Sequence, residues 1–461
     1  MKKIVYCWMF ATALSAVASV DETSRWQVAI DGAAAAGGGV VNVPAGEHLV
    51  GGLELRSNVE LHLEKGATLL AAVGLDHYRI VKYPYSEGDW SAIVMGLNIT
   101  NAAVTGEGVI HGRGGKWPAP TKEDYKRGHQ ESLRARGMFF YRSKGIRLED
   151  FTLKDVACWG IVLKECDGIV ARKVTIDSHA NHNNDGFDIE SKNVLIEDCV
   201  ADSGDDPFVI KSSNPDFVCE NITVKRCTAR GQANAFKIGM ATRGIVRNVR
   251  FEDVRCEDAT RVCTKLDDGT PTKLLTYHYR CKIGGRTPYG CMLNAICFAC
   301  VDGGCVEDIT VDGLDIAGGV LMPFYVRSDF RKEGRESGGA APGRWNRLRN
   351  IRISNVRGRA MGPVASAIIG TEGFHVENVT LNGIDLEIEG AGEEASRAAL
   401  GTPVPPPNGH YPSGDQFYPH IFPAYGLYTD RVDGLTLENV RFRLAPDTSD
   451  ARPAILKNRS K

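Results

Sequence analysis

The chain has 461 residues, with 57 acidic and 55 basic side chains and a formal net charge of −2. This balance argues against general binding to nucleic acid or to an anionic membrane surface, because both need a broad basic face. The length exceeds that of an average single domain, and repeat architectures are the usual exception because each unit packs only on its neighbours.

The first twenty residues have the pattern of a secretory signal. A basic start, MKK, precedes a short apolar stretch that ends at Leu14, and the sequence AVA at residues 16–18 fits a cleavage site. The apolar stretch is too short for a membrane span. We predict a signal peptide over residues 1–20, a single domain over 21–461, and a secreted or periplasmic protein. The alternative is an uncleaved N-terminal anchor.

A segment that differs from the rest of the chain follows the signal. Residues Ser24 to Ala36 suit a helix, with Ser24 as the capping residue and the glycines at 37–39 as its stop. A helix at this place would cover the open end of a solenoid, which otherwise exposes unpaired backbone groups.

A short sequence motif then recurs along the chain: Gly or Asn, an alternating aliphatic run, and an acid or small polar residue. Examples are "NVLIEDCVADS" and "NITVKRCTARG", and successive copies start about two dozen residues apart, at Gly145, Gly168, Asn193, Asn221 and Asn248. Each unit holds two or three short strands joined by turns. No unit can bury its apolar face alone, so stacking of parallel strands about 4.8 Å apart is required.

This pattern predicts an all-β protein, a right-handed parallel β-helix with an N-terminal capping helix. A leucine-rich horseshoe would show a Leu-dominated repeat with helices, and a β-propeller would need longer repeats with hairpins. Two stretches interrupt the repeat, Pro271 to Tyr289 and Gly390 to Pro423, and both predict long surface loops.

Two acidic motifs stand in successive repeats. "NHNNDGFDIES" carries Asp185, and "ADSGDDPFVIKS" carries Asp205 and Asp206. Because adjacent rungs stack at about 5 Å, the three carboxylates are expected to converge on one outer face. A local turn or bulge between Gly204 and Pro207 would let both adjacent acids face outward.

Such a cluster suits glycoside hydrolysis. One carboxyl group, kept protonated by its neighbours, gives a proton to the leaving oxygen, while an ionised one activates water. The separation of the groups decides between retention and inversion, and the sequence allows either. The alternative is that these aspartates only stabilise turns.

The motifs "NNDGFDIE" and "SGDDPFVIKS" resemble the paired motifs of glycoside hydrolase family 28, the polygalacturonase and rhamnogalacturonan hydrolase family. The opening "VAIDGAAAAGGGVVNVPAGEHLVGG" and the segment "VTGEGVIHGRGGKW" are also similar to that family. The resemblance implies a pectin-lyase-like right-handed β-helix, secretion, and inverting hydrolysis of pectic glycans of the galacturonan or rhamnogalacturonan type. It implies no metal and no other cofactor.

The resemblance also implies roles for the acids. Asp205 would be the general acid, and Asp185 and Asp206 would hold and deprotonate the water. Asn234 stands where the family has a histidine, and because an amide cannot titrate, tuning by an imidazole is lost. Cys263 stands where the family has a uronate-binding arginine.

Further residues are candidates for substrate binding. Lys237 would either meet an anionic sugar in the cleft or be solvated, and Arg327 would either clamp a carboxylate or lie on the surface. Lys211 lies in strand alternation and is a candidate partner for the acids. The predicted substrate-binding set is Asn183, Asn234, Lys237, Lys265, Arg327 and His182.

The cysteines allow two interpretations. Cys199, Cys227 and Cys256 occupy similar places in successive repeats, where stacked buried thiols or disulfides would both fit. Cys297 and Cys300 form a CxxC pair, but the segment alternates like a strand and lacks a second ligand pair at zinc-like spacing.

Two rival functions stay open at this point. A β-helix polysaccharide lyase would need a basic residue to remove a proton and commonly calcium-binding acids. A carbohydrate-binding pseudo-enzyme would bind without turnover. In every case we expect a carbohydrate partner, no nucleic acid, no membrane span and, by default, a monomer.

Overall fold

The computed structural model describes residues 21–83, 85, 89–127, 132–263, 265–270, 291–330, 346–404 and 421–460. The predicted signal peptide at residues 1–20 and the predicted loop from Pro271 to Tyr289 lie outside the described residues. No described helix has the length and apolar character that crossing a membrane requires.

Helix α1 spans Thr23–Ala35, one residue earlier than predicted at each end. Ser24 therefore lies inside the helix, and Glu22 takes the capping position without a side-chain hydrogen bond. The helix ends where Gly37, Gly38 and Gly39 adopt positive φ angles, as the glycine run predicted. Its buried side chains, Trp26 and Ile30, join the core of the first rungs, so α1 covers the apolar interior at that end.

Almost all other regular structure is strand. The N-terminal strands are β1 (Gly39–Val43), β2 (Gly46–Val50), β3 (Leu53–Glu54), β4 (Val59–Leu63), β5 (Ala67–Ala71), β6 (Val81–Lys82), β7 (Asp89–Trp90), β8 (Ala92–Leu97), β9 (Ala103–Thr105) and β10 (Val109–His111). The central strands are β11 (Arg136–Tyr141), β12 (Lys144–Glu149), β13 (Thr152–Lys154), β14 (Ile161–Arg172), β15 (Thr175–Ser178), β16 (Phe187–Glu197), β17 (Val200–Ser203), β18 (Phe208–Ser212), β19 (Val218–Lys225), β20 (Thr228–Gly231), β21 (Asn234–Thr242) and β22 (Ile245–Glu257). The C-terminal strands are β23 (Met292–Cys300), β24 (Cys305–Ile316), β25 (Val320–Ser328), β26 (Arg347–Ala360), β27 (Ser366–Gly370), β28 (Val376–Ile388), β29 (Leu427–Asp430), β30 (Val432–Leu444) and β31 (Ile455–Asn458).

Two short helices and two 3₁₀ turns complete the described secondary structure: Lys122–Arg127, Glu393–Leu400, Leu75–His77 and Gly114–Lys116. The helix Glu393–Leu400 falls in the stretch for which the sequence predicted a loop from Gly390 to Pro423. Residues 405–420 of that stretch lie outside the described part of the chain.

The strands stack in parallel, rung upon rung, and 29 of them form one continuous coiled sheet. The predicted right-handed parallel β-helix is therefore confirmed. The strands β8, β11, β14, β16, β18, β21, β23 and β25 follow one another up one face, called the site face below.

The predicted repeat starts stack on one another. One position of each rung pairs in register with the next through Ile146, Ile169, Val194, Ile222 and Val249. The five residues that directly precede these therefore occupy equivalent positions. All five of those preceding residues have positive φ, the conformation that Gly and Asn tolerate best. The turn therefore explains why the repeat begins with these two residue types.

Inward positions form one continuous apolar core. The rings of Phe187, Phe208 and Phe236 stack on successive rungs, with centroids 5.4 Å apart at each step. Their pairing fixes the register of the rungs that carry the acidic motifs.

Cys199, Cys227 and Cys256 are free thiols, so the interpretation as buried thiols holds for them. Cys199 and Cys227 lie one below the other as predicted, but Cys256 pairs in register with Ala229, two positions further along the rung. Cys297 belongs to an outer apolar cluster, whereas Cys300 points into the main core. Because these two thiols lie on opposite sides of the sheet, they cannot share a zinc ion.

Candidate active site

The first acidic motif forms a bend between β15 and β16. Asn183 adopts a positive φ of 52°, and the Asn184 amide donates to the Ser178 carbonyl at 2.9 Å. Arg134 is fully buried and donates to the carbonyls of Ala157, at 2.8 Å, and of His182. These contacts fix the backbone that presents Asp185.

The second motif forms the bend between β17 and β18 on the next rung, as Gly204 and Pro207 predicted. A Cβ atom at Gly204 would lie 2.6 Å from Asn184 Oδ1, so a larger residue there would displace the Asn184 side chain. The Gly186 N–H donates to the Asp206 carbonyl at 2.9 Å, which ties the bends together.

The three predicted acids meet. One carboxylate oxygen from each of Asp185, Asp205 and Asp206 lies within 4.8 Å of the other two. Asp185 and Asp206 are buried, at 4% and 3% exposure, whereas Asp205 is half-buried. The bends therefore turn both adjacent acids toward one place, which a regular strand would not do.

Asp206 has a complete set of partners. Lys237 Nζ lies 2.6 Å from its Oδ2, and its Oδ1 accepts hydrogen bonds from the Asn234 backbone N–H at 2.9 Å and side-chain amide at 2.7 Å. Both partners belong to β21, one rung beyond the acid.

Asp185 is accompanied by a fourth acid, Asp188, on the outer side of β16. Lys211 Nζ contacts Asp188 and lies 3.7 Å from Asp185 Oδ2, and it also stands 4.0 Å from the centre of the Trp159 ring. The other oxygens, Asp185 Oδ1 and Asp188 Oδ2, are buried without a hydrogen-bond partner among the described residues. They are available to accept from water or from a ligand hydroxyl.

These surroundings shift the pKa values of Asp185 and Asp206 in opposite directions. Burial, then repulsion from Asp188 and Asp205, raises the pKa of Asp185 well above its usual value, and Lys211 offsets this only in part. For Asp206 burial also acts to raise the pKa, but the attraction and hydrogen bond of Lys237 and the hydrogen bonds of Asn234 together lower it. The cluster thus pairs a proton-retaining acid with an ionised one. Because ammonium groups already pair with these carboxylates, we do not assign them as metal ligands.

The model of glycosyl hydrolases family 28 matches residues 39–263, which include both acidic motifs. Among curated proteins, a probable polygalacturonase of Vitis vinifera is 26% identical over 257 residues, covering 50% of this chain and 51% of that protein. The chain belongs to glycosyl hydrolases family 28.

Further similarities agree with this family. An exo-poly-alpha-D-galacturonosidase of Dickeya chrysanthemi is 26% identical over 232 residues, 40% of this chain and 38% of that protein. The chain thus spans about half or less of the length of these curated relatives. In fold, it is similar to an exopolygalacturonase from Thermotoga maritima (TM-score 0.61, 24% identity, 81% and 84% of the two chains). A family 28 exopolygalacturonase of Yersinia enterocolitica gives a TM-score of 0.64 at 16% identity, over 95% and 75% of the two chains.

The remaining predicted residues lie in different surroundings. His182 and Asn183 are in the bend held by Arg134, whose guanidinium is 3.4 Å from Asn183 Oδ1. Arg327 is fully buried and pairs with Asp329, so it does not have the surface position that the sequence left open.

Lys265, the match to a family 28 lysine, is exposed. Within the described part of the chain, no hydrogen bond or ion pair joins it to the three acids. Its predicted role in substrate binding stays a prediction.

Sequence reasoning missed Asp188 and Arg134. The signal for Asp188 was present, because alternation after the "NNDG" bend places Phe187 inside and Asp188 outside, beside the acids. Arg134 gave no local signal, since it precedes β11 by two residues and reaches across the rungs to the bend.

An aromatic cluster lies beside the acids on the site face. It consists of Tyr83, Trp90, Phe139 and Trp159, all buried. Phe139 pairs in register with Val162, which pairs with Asp188, so the cluster occupies the same side of the sheet as the acids. The N–H of Gly160, the residue after Trp159, donates to the Asp185 carbonyl at 2.8 Å. The cluster therefore adjoins the acidic rung directly.

Proposed function

We propose that this chain is a glycoside hydrolase that cleaves pectic polysaccharides or oligosaccharides of the galacturonan or rhamnogalacturonan type. The observation that carries the proposal is the meeting of Asp185, Asp205 and Asp206 on adjacent rungs, within 4.8 Å. Membership of family 28 and similarity to proteins named polygalacturonases support it. Export through residues 1–20 stays a prediction of the sequence.

In this proposal Asp205 is the general acid. Of the three acids it is the most exposed, so its carboxyl group is the one that reaches a substrate entering from solvent. It gives its proton to the glycosidic oxygen as the bond to the anomeric carbon breaks.

Asp206 then serves as the general base. Its ionised carboxylate takes a proton from the water that attacks the anomeric carbon, and Asp185 Oδ1 helps to hold that water. The proton gained by Asp206 replaces the one lost by Asp205, so the cluster ends with the proton count it had at the start.

We also propose inversion at the anomeric carbon, as the resemblance to family 28 implies. Carboxyl separations of about 6.5–9.5 Å are usual for inverting enzymes and about 5–5.5 Å for retaining ones. The carboxylate oxygens lie within 4.8 Å of one another, which does not itself favour inversion, so the proposed stereochemistry rests on the family. Proton NMR of the first product anomer tests it: the anomer opposite to that of the substrate supports inversion, and the same anomer contradicts it.

A screen of pectic polysaccharides and oligosaccharides tests the hydrolase. We expect reducing sugar from the wild type and a loss of about 10²–10⁴-fold in Asp205→Asn, the range for removal of a general acid. Asp216→Asn is the matched control, because Asp216 is exposed on the same rung without a side-chain role in the cluster.

Equal release by wild type and Asp205→Asn would remove Asp205 from the mechanism. Binding without turnover in both would instead support the pseudo-enzyme.

A polysaccharide lyase is the second candidate, favoured by the same close approach of three carboxylates, which lyases use for calcium. A lyase would give an unsaturated product that absorbs in the ultraviolet and would lose activity with a chelator. We expect a saturated product and the same activity with and without EDTA.

A further inference from the structure

The contacts around Asp206 define an assembly that the sequence did not anticipate. Asp206 and Lys237 form an ion pair whose side chains are each 4% exposed, so the ammonium group is turned away from bulk solvent and toward the acid. Asn234 adds two hydrogen bonds to the other carboxylate oxygen. All three donors thus act on one carboxylate.

The amide of Asn234 is itself held in place. Asn294, on the next rung of the site face, donates from Nδ2 to Asn234 Oδ1 at 2.6 Å. With its oxygen engaged there, Asn234 presents its NH₂ group to Asp206. This orientation suits a carboxylate, which can only accept, and does not suit a neutral acid that must donate.

The charge balance of the cluster gives Lys237 a specific task. The carboxyl groups of Asp185, Asp188, Asp205 and Asp206 lie close enough to repel one another. Lys211 and Lys237 form ion pairs with members of this group, and Lys164 adds an attraction to Asp188 from a greater distance. Lys211 serves Asp185 and Asp188. Lys237 pairs with Asp206, so its charge favours the ionised form of that carboxyl group.

We propose that Lys237, supported by Asn234 and Asn294, is a positioning residue that keeps Asp206 ionised and oriented as the base. This inference deepens the proposed function and rests on it. The non-titrating amide of Asn234 then stands where family 28 members have a histidine, and Lys237 adds a fixed cation beside it. Selection of the ionised acid is therefore independent of any imidazole pKa.

Direct titration tests the proposal without a substrate. Aspartate labelled with ¹³C at Cγ is followed by NMR against pH, and the Asp206 signal is identified by its loss in Asp206→Asn. In Lys237→Met we expect the pKa of Asp206 to rise by about 1–3 units, the size of the effect of an opposite charge at this distance. Lys237→Arg should restore most of the shift.

The pH dependence of kcat/KM on a pectic substrate is the second readout. Because the base must be ionised, the acidic limb of the profile should move to higher pH in Lys237→Met by the same amount as the titration. Asn234→Ala keeps the cation and should move the acidic limb less. This variant replaces Lys237→Met in the test if Lys237→Met does not fold.

Lys164→Met is the matched control. Lys164 forms an ion pair with Glu190 on the same face, with side chains 2% and 3% exposed. Lys164→Met therefore breaks a buried ion pair, as Lys237→Met does. We expect it to lower Tm and leave the Asp206 titration and the acidic limb in place.

Three results would overturn the proposal. The Asp206 titration could stay unchanged in Lys237→Met, the control could shift it equally, or Lys237→Met could raise KM alone, which would make Lys237 a substrate-binding residue. A wild type that hydrolyses no pectic substrate would refute the proposed function instead, while the NMR titration would still decide the role of Lys237.

Discussion

Asp185 and Asp206 lie on neighbouring rungs of the same site, but their pKa values are shifted from the ordinary aspartate value in opposite directions. Both are buried, so burial alone cannot distinguish them. The difference lies in the partners: Asp206 has a cation and two amide donors, while Asp185 faces two other acids and shares its cation. The chemistry of the site is therefore set by neighbours rather than by the acids themselves.

The raised pKa of Asp185 predicts that this functional residue lowers the stability of the folded protein at neutral pH. The unfolded chain releases its proton near the ordinary aspartate pKa, whereas the folded chain holds it, so the stability that Asp185 contributes falls as pH rises from that value through the folded pKa. Asp185→Asn removes this loss. We expect its Tm to exceed that of the wild type by about 1–3 °C at neutral pH, with little difference near pH 3.

Thermal unfolding of both proteins across pH 3–8 measures the effect. The activity of Asp185→Asn should be lost over the same range. A Tm below that of the wild type at neutral pH would contradict the prediction.

At the scale of elements, the turn that opens each rung is stabilised by a ladder of asparagines. Asn248 donates to Asn221 at 2.7 Å, and Asn221 donates to Asn193 at 2.9 Å. All three have φ near 55°. The ladder joins rungs through side chains where the backbone turns, so each asparagine has both a conformational and a hydrogen-bonding role.

Substitution of Asn221 separates these two roles. Asn221→Ala loses both ladder bonds and places a Cβ-bearing residue at positive φ without a compensating amide, so we expect the free energy of unfolding to fall by about 2–3 kcal/mol. Asn221→Gly keeps the conformation and should cost about 1–2 kcal/mol. Urea unfolding followed by circular dichroism measures both, and an equal loss would show that the positive φ is not the source of the difference.

At the scale of the whole molecule, we expect the aromatic cluster to limit how a long substrate reaches the acids. Tyr83, Trp90, Phe139 and Trp159 fill the outer side of the site face on the rungs before Asp185. Because rungs are only about 4.8 Å apart, we expect this side to admit no more than a short end of a sugar chain. We therefore expect this protein to attack a sugar chain at its end.

The product profile tests chain-end attack. We expect short products of one uniform size from the first minutes, with little loss of viscosity for each bond cleaved. Oligosaccharides blocked at one end or the other show which end enters. Early release of mixed, mid-length oligomers would show that the chain passes across the cluster.

The sequence alone determined the rungs, the capping helix, the bends and the three acids. Each follows from a local rule: alternation sets which side chains face inward, Gly and Asn mark positive φ, and the spacing of the repeats stacks Asp185 below Asp206.

Only the tertiary structure decided what those acids touch. Asp206 pairs with Lys237, 31 residues away, because β21 stacks on β18 with Lys237 in register with Val209, three residues after Asp206. Likewise Cys297 and Cys300, neighbours in sequence, face opposite sides of the sheet. A local pattern specifies the direction of a side chain, but the residue it meets depends on the path of the next rung.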